Sequence, residues 1–159
     1  IGQGFQPVSA YNYGAKKYDR VKANYKLAVK CSFVMSTLAF ISFQCFPEYI
    51  ISLFGSGDAL YMEFTIKFIR TFLFMIIING VQMISANFFS AIGKPLKGVM
   101  LTMCRQVLFL IPLMLILPLF FGLDGILYAA PISDSLAFLT SIFFIRREFK
   151  NMDNIGGYK

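Results

Sequence analysis

"GVMLTMCRQVLFLIPLMLILPLFF", residues 98–121, decides the fold of this chain. Arg105 is its single charged side chain. A run of this length, at about 1.5 Å per residue, reaches across a hydrocarbon core of about 30 Å. Backbone groups in lipid must bond internally, and the alternation of a barrel strand is absent, so a helix is expected. Outward from this run, three more apolar segments obey the same logic, at residues 25–46, 60–92 and 126–145. Residues 1–14 form a shorter fifth, read as truncated. Pro47 opens an amphipathic piece, "PEYIISLF", that "GSGD" ends. "GKP" at 93–95, "GLDG" at 122–125 and Arg146–Arg147 mark the other stops, and 146–159 form a tail. Segment 60–92 would extend about 50 Å as a straight helix, so it has to tilt, kink or project. The expectation is an all-α membrane protein with five transmembrane helices.

Composition agrees with a bilayer as solvent. Of 159 residues, 57% are hydrophobic and 14% charged, against about 25% charged in soluble domains. A soluble all-helical domain is the disfavoured alternative. The net charge of +7 would suggest nucleic acid in a soluble protein. Here the cations stand at the ends of apolar runs, so no nucleic-acid partner is expected. No signal peptide is visible and Ile1 already lies in an apolar segment, which reads as a chain with a missing upstream part. Cys31, Cys45 and Cys104 lack paired spacing and are expected as small core residues.

Charge sets the orientation. With five alternating crossings, one side receives Lys16, Lys17, Arg20, Lys22, Lys26, Lys30, Lys94, Lys97, Arg146, Arg147, Lys150 and Lys159, twelve of the 15 cations. The other side receives Glu48, Asp58, Glu63 and Asp124, with Lys67 and Arg70 just inside the third segment. The basic side is expected in the cytoplasm, together with the C-terminus. Gly14 is expected to cap the first helix.

The polar residues inside the apolar runs are few and patterned. Gln3, Gln6, Ala10 and Gly14 share one helical stripe at i, i+3, i+7 and i+11. Asn79, Gln82, Ala86 and Ser90 repeat those offsets. Amides are costly in lipid, so both stripes face protein or water. They would either line one wet cavity or glue helices together. Pro7 is expected to bend the first helix and to leave the Gln3 carbonyl without its usual partner. Asp134 is the one acid in the middle of a span, three residues after Pro131. It would bind a coupling ion, or serve as a structural partner for Arg105 or a freed backbone group. Arg105 itself is expected to extend back toward the cytoplasmic face. Proline in three of the five segments hints at bending helices. No enzyme is legible: the chain has no histidine and no GxxxxGK[ST] loop, and no cofactor or metal is expected.

Five stretches together resemble the multidrug and toxic compound extrusion (MATE) family. They are "IGQGFQPVSAYNYGAKKYDRVK", "PEYIISLFGSGD", "FFSAIGKP", "RQVLFLIPLMLILP" and "FGLDGILYAAPISD", in family order over nearly the whole chain. The resemblance implies a twelve-helix transporter of two six-helix lobes. This chain would supply the eighth to twelfth helices, most of the C-terminal lobe. The resemblance also implies export of small organic cations against sodium or protons, and a multi-pass place in a bacterial inner membrane. The N-terminal lobe of the same chain would be the missing partner. Gln3, Gln6, Pro7 and Asn12 on the eighth helix, Asn79 and Gln82 on the tenth, and Asp134 on the twelfth are carried over as site residues. Ala86 and Ser90 complete the cavity stripe. Phe5 and Phe89 would offer aromatic faces to flat cations. Sodium-coupled members have an acid in the core of the tenth helix, where this chain has Asn79 and Gln82. A saccharide-lipid flippase and a membrane scaffold are the rival readings. The flippase would need a cationic cavity, whereas these stripes are neutral.

Overall fold

The computed structural model describes residues 1–46, 49, 59–72 and 75–156. Most of the amphipathic piece at 47–54 and the turn at 55–58 lie outside the described residues. The chain is helical: α1 (Gln6–Gly14), α2 (Tyr18–Cys45), α3 (Ala59–Phe72), α4 (Ile76–Ala91), α5 (Pro95–Met103), a π-helical turn (Cys104–Leu110), α6 (Ile111–Phe121) and α7 (Leu123–Gly156). Among the described residues, three stretches are long and apolar enough to cross a membrane. They are α2, the continuous run Pro95–Phe121, and α7. A fourth becomes possible if α3 and α4, which meet at 51°, form one bent span. α1, at nine residues, is too short to cross by itself.

Local chemistry explains several boundaries. Pro95 stands in the first turn of α5, where a missing N–H costs nothing, whereas Pro112 lies inside the continuous run Pro95–Phe121, with helix on both sides. The π-helical turn ends just before Pro112 and absorbs the backbone bond that proline cannot make. Pro7 also occupies a first turn. It therefore starts α1 instead of bending it, and the Gln3 carbonyl accepts the Gln6 N–H at 3.3 Å. The turn after α1 is closed by Lys16 at φ 57, not by Gly14, which stays within the helix. Gly93, at φ 75, makes the left-handed turn between α4 and α5 that a side chain would strain. α7 runs past Arg146–Arg147 to Gly156, since arginine ends an apolar run without breaking a helix.

α4 is the packing hub, touching α1, α2, α5 and α7. Small residues let the helices approach. A Cβ on Gly80 would meet the hydroxyls of Ser32 and Ser36 on α2, and one on Gly98 would meet the carbonyl of Ala86 on α4. The core joins Val21, Tyr25 and Ala28 to Ile84, Phe88 and Phe89, and to Ile145 and Met152 of α7. Tyr25 meets Phe88 edge to face at 5.0 Å and Phe149 at 5.5 Å. Such ring pairs contribute about 0.5–1.5 kcal/mol beyond their burial. Outside this core the helices present apolar surface: Leu119 is 82% exposed and Phe120 76%. That surface suits acyl chains rather than water. The three cysteines stand on these outer faces, Cys31 and Cys45 exposed and Cys104 half-buried, and not in the core. In lipid a small thiol on an outer face carries no penalty, so nothing drives it inward.

Ion pairs mark the two ends of the bundle. At one end Lys22 pairs with Asp153, and Lys94 and Lys97 both pair with Glu148. At the other end Lys67 bonds Asp124 at 2.6 Å. The basic segments are thus gathered on one side, away from Asp124.

Candidate functional site

The polar residues of α4 converge with those of the next helix on a recess of about 270 Å³. Asn79, Gln82, Met83, Ala86 and Asn87 form one wall. Thr102 of α5 and Arg105 and Gln106 of the π-helical turn form the other. Thr102, Arg105 and Gln106 stand at i, i+3 and i+4, so one helix face carries all three.

Within the recess the polar groups are unevenly used. Gln82 is buried and its Nε2 donates to the Leu101 carbonyl at 3.3 Å, tying α4 to α5. Asn87 Oδ1 accepts from Gln6 Nε2 at 3.1 Å, tying α4 to α1. Among the described residues, no hydrogen bond engages the side chains of Asn79 or Gln106. Arg105 uses one donor: its Nε bonds Asp134 Oδ1 at 2.7 Å. A guanidinium has five N–H donors, so its other nitrogens remain for whatever fills the recess.

The remaining sequence-derived site residues lie elsewhere. Gln3 is exposed in the turn before α1, and Pro7 is exposed in its first turn. Asn12 is buried and donates to the Val8 carbonyl of its own helix at 2.8 Å. Ser90 donates back to the Ala86 carbonyl at 3.4 Å, one turn beyond the recess. Asp134 is 5% exposed and meets the recess only through Arg105. Arg105 does not extend back along its helix to the basic end, because Asp134 on α7 lies within reach of its Nε. Phe5 and Phe89 are buried in the core and present no open aromatic face. The Phe89 ring instead receives the Lys97 ammonium, 5.7 Å from its centroid.

Sequence patterning does not point to Asn87, Thr102 or Gln106 as site residues. Asn87 comes directly after Ala86 and sits beside the stripe rather than on it. The i, i+4 spacing of Thr102 and Gln106 around Arg105 is the one signal that could have found them. At the basic end, partial burial would pull the Lys94 ammonium down. The hydrogen bond and charge of Glu148 outweigh that and hold it above the usual lysine value.

The MatE family profile matches residues 1–116. A FAD transporter of Shewanella oneidensis is 27% identical over 147 residues, which cover 92% of this chain and 32% of that protein. The multidrug export protein MepA of Staphylococcus aureus is 23% identical over 143 residues, 90% of this chain and 31% of that protein. An outward-facing multidrug-resistance MATE transporter of the MOP superfamily superposes with a TM-score of 0.90 at 18% identity. The match covers 96% of this chain and 35% of that one. An inward-facing structure matches with a TM-score of 0.89 at 17% identity, over 96% of this chain and 36% of that one. The chain spans about a third of the length of the relatives it matches. From the family profile, the helical bundle and its match to solved transporters, this chain belongs to the MatE family of membrane transporters, not to an enzyme family.

Proposed function

We propose that the chain is the C-lobe portion of a cation-coupled multidrug antiporter that exports organic cations by alternating access. In this reading α1 is the end of a span and α3 with α4 form a bent one, giving five crossings in all. The basic end faces the cytoplasm, in keeping with the charge asymmetry, and the membrane is a bacterial inner membrane. The α4–α5 recess is the chain's contribution to the transport route. Gln3 and Pro7, exposed on and before α1, are open to an N-terminal lobe of the kind the family relatives carry, while Gln6 is held by Asn87 of α4.

One observation carries this reading. Asn79, Gln106 and the outer nitrogens of Arg105 converge, unspent, in a recess at membrane depth. Polar groups left open in lipid would cost several kcal/mol each, so water or a substrate has to reach them. Asp134 remains the candidate for coupling to sodium or protons, and its ion pair with Arg105 would have to open in the cycle. Similar TM-scores against outward- and inward-facing relatives support a lobe that keeps its internal shape while access changes. The test is Asn79→Leu with Gln82→Leu in the complete transporter. Drug efflux should fall with the protein still expressed and folded; unchanged resistance in a normally expressed double variant contradicts the reading. A second reading is transport of a dinucleotide: the Shewanella oneidensis relative is named a FAD transporter. The guanidinium in the recess wall favours it.

A further inference from the structure

We propose that Arg105 is an oxyanion anchor, binding the carboxylate or phosphate oxygens of the transported amphiphile at the α4–α5 recess. This rests on the reading of the recess as part of the transport route and specifies the chemistry that the route recognises.

Three observations converge. First, Arg105 stands at membrane depth, where an arginine is costly and is retained only with a partner or a wet cavity. It has both: Nε bonds Asp134, and the side chain, 29% exposed, lines the recess. Second, the Asp134 bond engages Nε alone, which leaves the outer nitrogens for a second partner. Such nitrogens match the paired oxygens of a carboxylate or phosphate. Third, the neighbours suit the same ligand. Gln106 and Asn79 supply neutral amide donors around the guanidinium, while the Thr102 hydroxyl donates to the Gly98 carbonyl at 3.1 Å, and the recess lining includes no carboxylate. Asp134, 5% exposed, is not among the residues that line the recess.

The π-helical turn is part of this construction. It spans Cys104–Leu110 and so carries both Arg105 and Gln106. The extra residue in a π turn rotates the succeeding residues relative to an α-helix. Asp134 then fixes the arginine as a positioning partner and offsets its charge. A ligand with both a cationic and an anionic group is therefore accommodated, since the pair adds little net charge to repel the cation.

The experiment uses the complete transporter in nanodiscs and two matched fluorescent pairs: a rhodamine with a free carboxylate against its ethyl ester, and flavin mononucleotide against riboflavin. The first pair reports a drug-type carboxylate, the second a phosphate. In the wild type, the oxyanion-bearing member of at least one pair should bind more tightly than its partner. A charge-assisted hydrogen bond is worth about tenfold to a hundredfold in affinity. The double variant Arg105→Gln with Asp134→Asn removes both charges without orphaning either, and should abolish that preference. Asp134→Asn alone should keep it, because the arginine remains. A purely structural ion pair would instead make the two variants alike. The anchor is overturned if the wild type shows no preference in either pair, or if the double variant retains it. Should the ester or riboflavin be exported without any such preference, the anchor fails while the transport reading stands. Should no member of either pair bind or move, both fail.

Discussion

Replacing Glu148 with Gln removes a carboxylate that holds two lysines at the basic end of the bundle. Glu148 is 1% exposed, accepts from Lys97 at 2.7 Å, and also pairs with Lys94. These bonds tie the turn between α4 and α5 to the part of α7 that extends past Arg146–Arg147. Removing one partner of a buried ion pair costs about 3–5 kcal/mol. The lysine side chains are 34% and 37% exposed, so water screens part of that loss. About 2 kcal/mol remains. The shift in Tm per kcal/mol is about 2–4 °C for 150–250 residues and falls in proportion to length, so in a transporter about three times this chain's length the variant should melt about 2 °C lower. The assay is thermal unfolding of the detergent-solubilised complete transporter, read by thiol-reactive dye and by loss of a monodisperse chromatographic peak. Replacing the whole set, as Glu148→Leu with Lys94→Met and Lys97→Met, should recover most of the loss, because it leaves no uncompensated charge. A shift below about 1 °C for Glu148→Gln would refute the reasoning, as would a triple replacement worse than the single one.

The same triad has a pH signature. Lys94 is held above the ordinary lysine value by Glu148 despite partial burial. Its contribution is therefore complete below about pH 10 and is lost as pH climbs through the raised folded-state value. Melting profiles from about pH 9 upward should show a steeper alkaline decline in wild type than in Lys94→Gln; parallel profiles would contradict the assignment. Gly98→Ala should destabilise by about 1–3 kcal/mol, because a Cβ would stand 2.5 Å from the Ala86 carbonyl oxygen and push α5 off α4. Chemical denaturation of the variant measures this, and a neutral result would mean the two helices are not in that register.

The spans were legible because length and apolar content are one-dimensional properties. The run at 98–121 needed no partner to be read as a membrane helix. The stripe on α4 was legible too, since 3.6-residue periodicity places Asn79, Gln82 and Ala86 on one face. What faces that stripe was not legible. Thr102, Arg105 and Gln106 join it through tertiary packing, and the π-helical turn that carries two of them has no simple spacing signal. Arg105 shows the difference clearly. From sequence alone the shortest route from its charge to water ran back along its own helix. The structure instead pairs it with Asp134, 29 residues later, the structural partnership that the sequence offered as one alternative for Asp134 but that periodicity within one helix could not select. Pro7 departs from expectation for a related reason. Proline bends a helix only if helix precedes it, and here only a turn does. Asn12 fits the stripe's amide character by composition, yet bonds to its own helix.

The central claim is that the α4–α5 recess is wet while the outer faces of the same helices are not. Single cysteines at Asn79 and Gln106, with Leu119→Cys as the lipid-face control, address it directly once Cys31, Cys45 and Cys104 are replaced by serine. A membrane-impermeant thiol reagent should label positions 79 and 106 in the complete transporter, and substrate should protect them, while position 119 stays unreactive. Unreactive cysteines at 79 and 106, in both outward- and inward-facing conditions, would contradict the account.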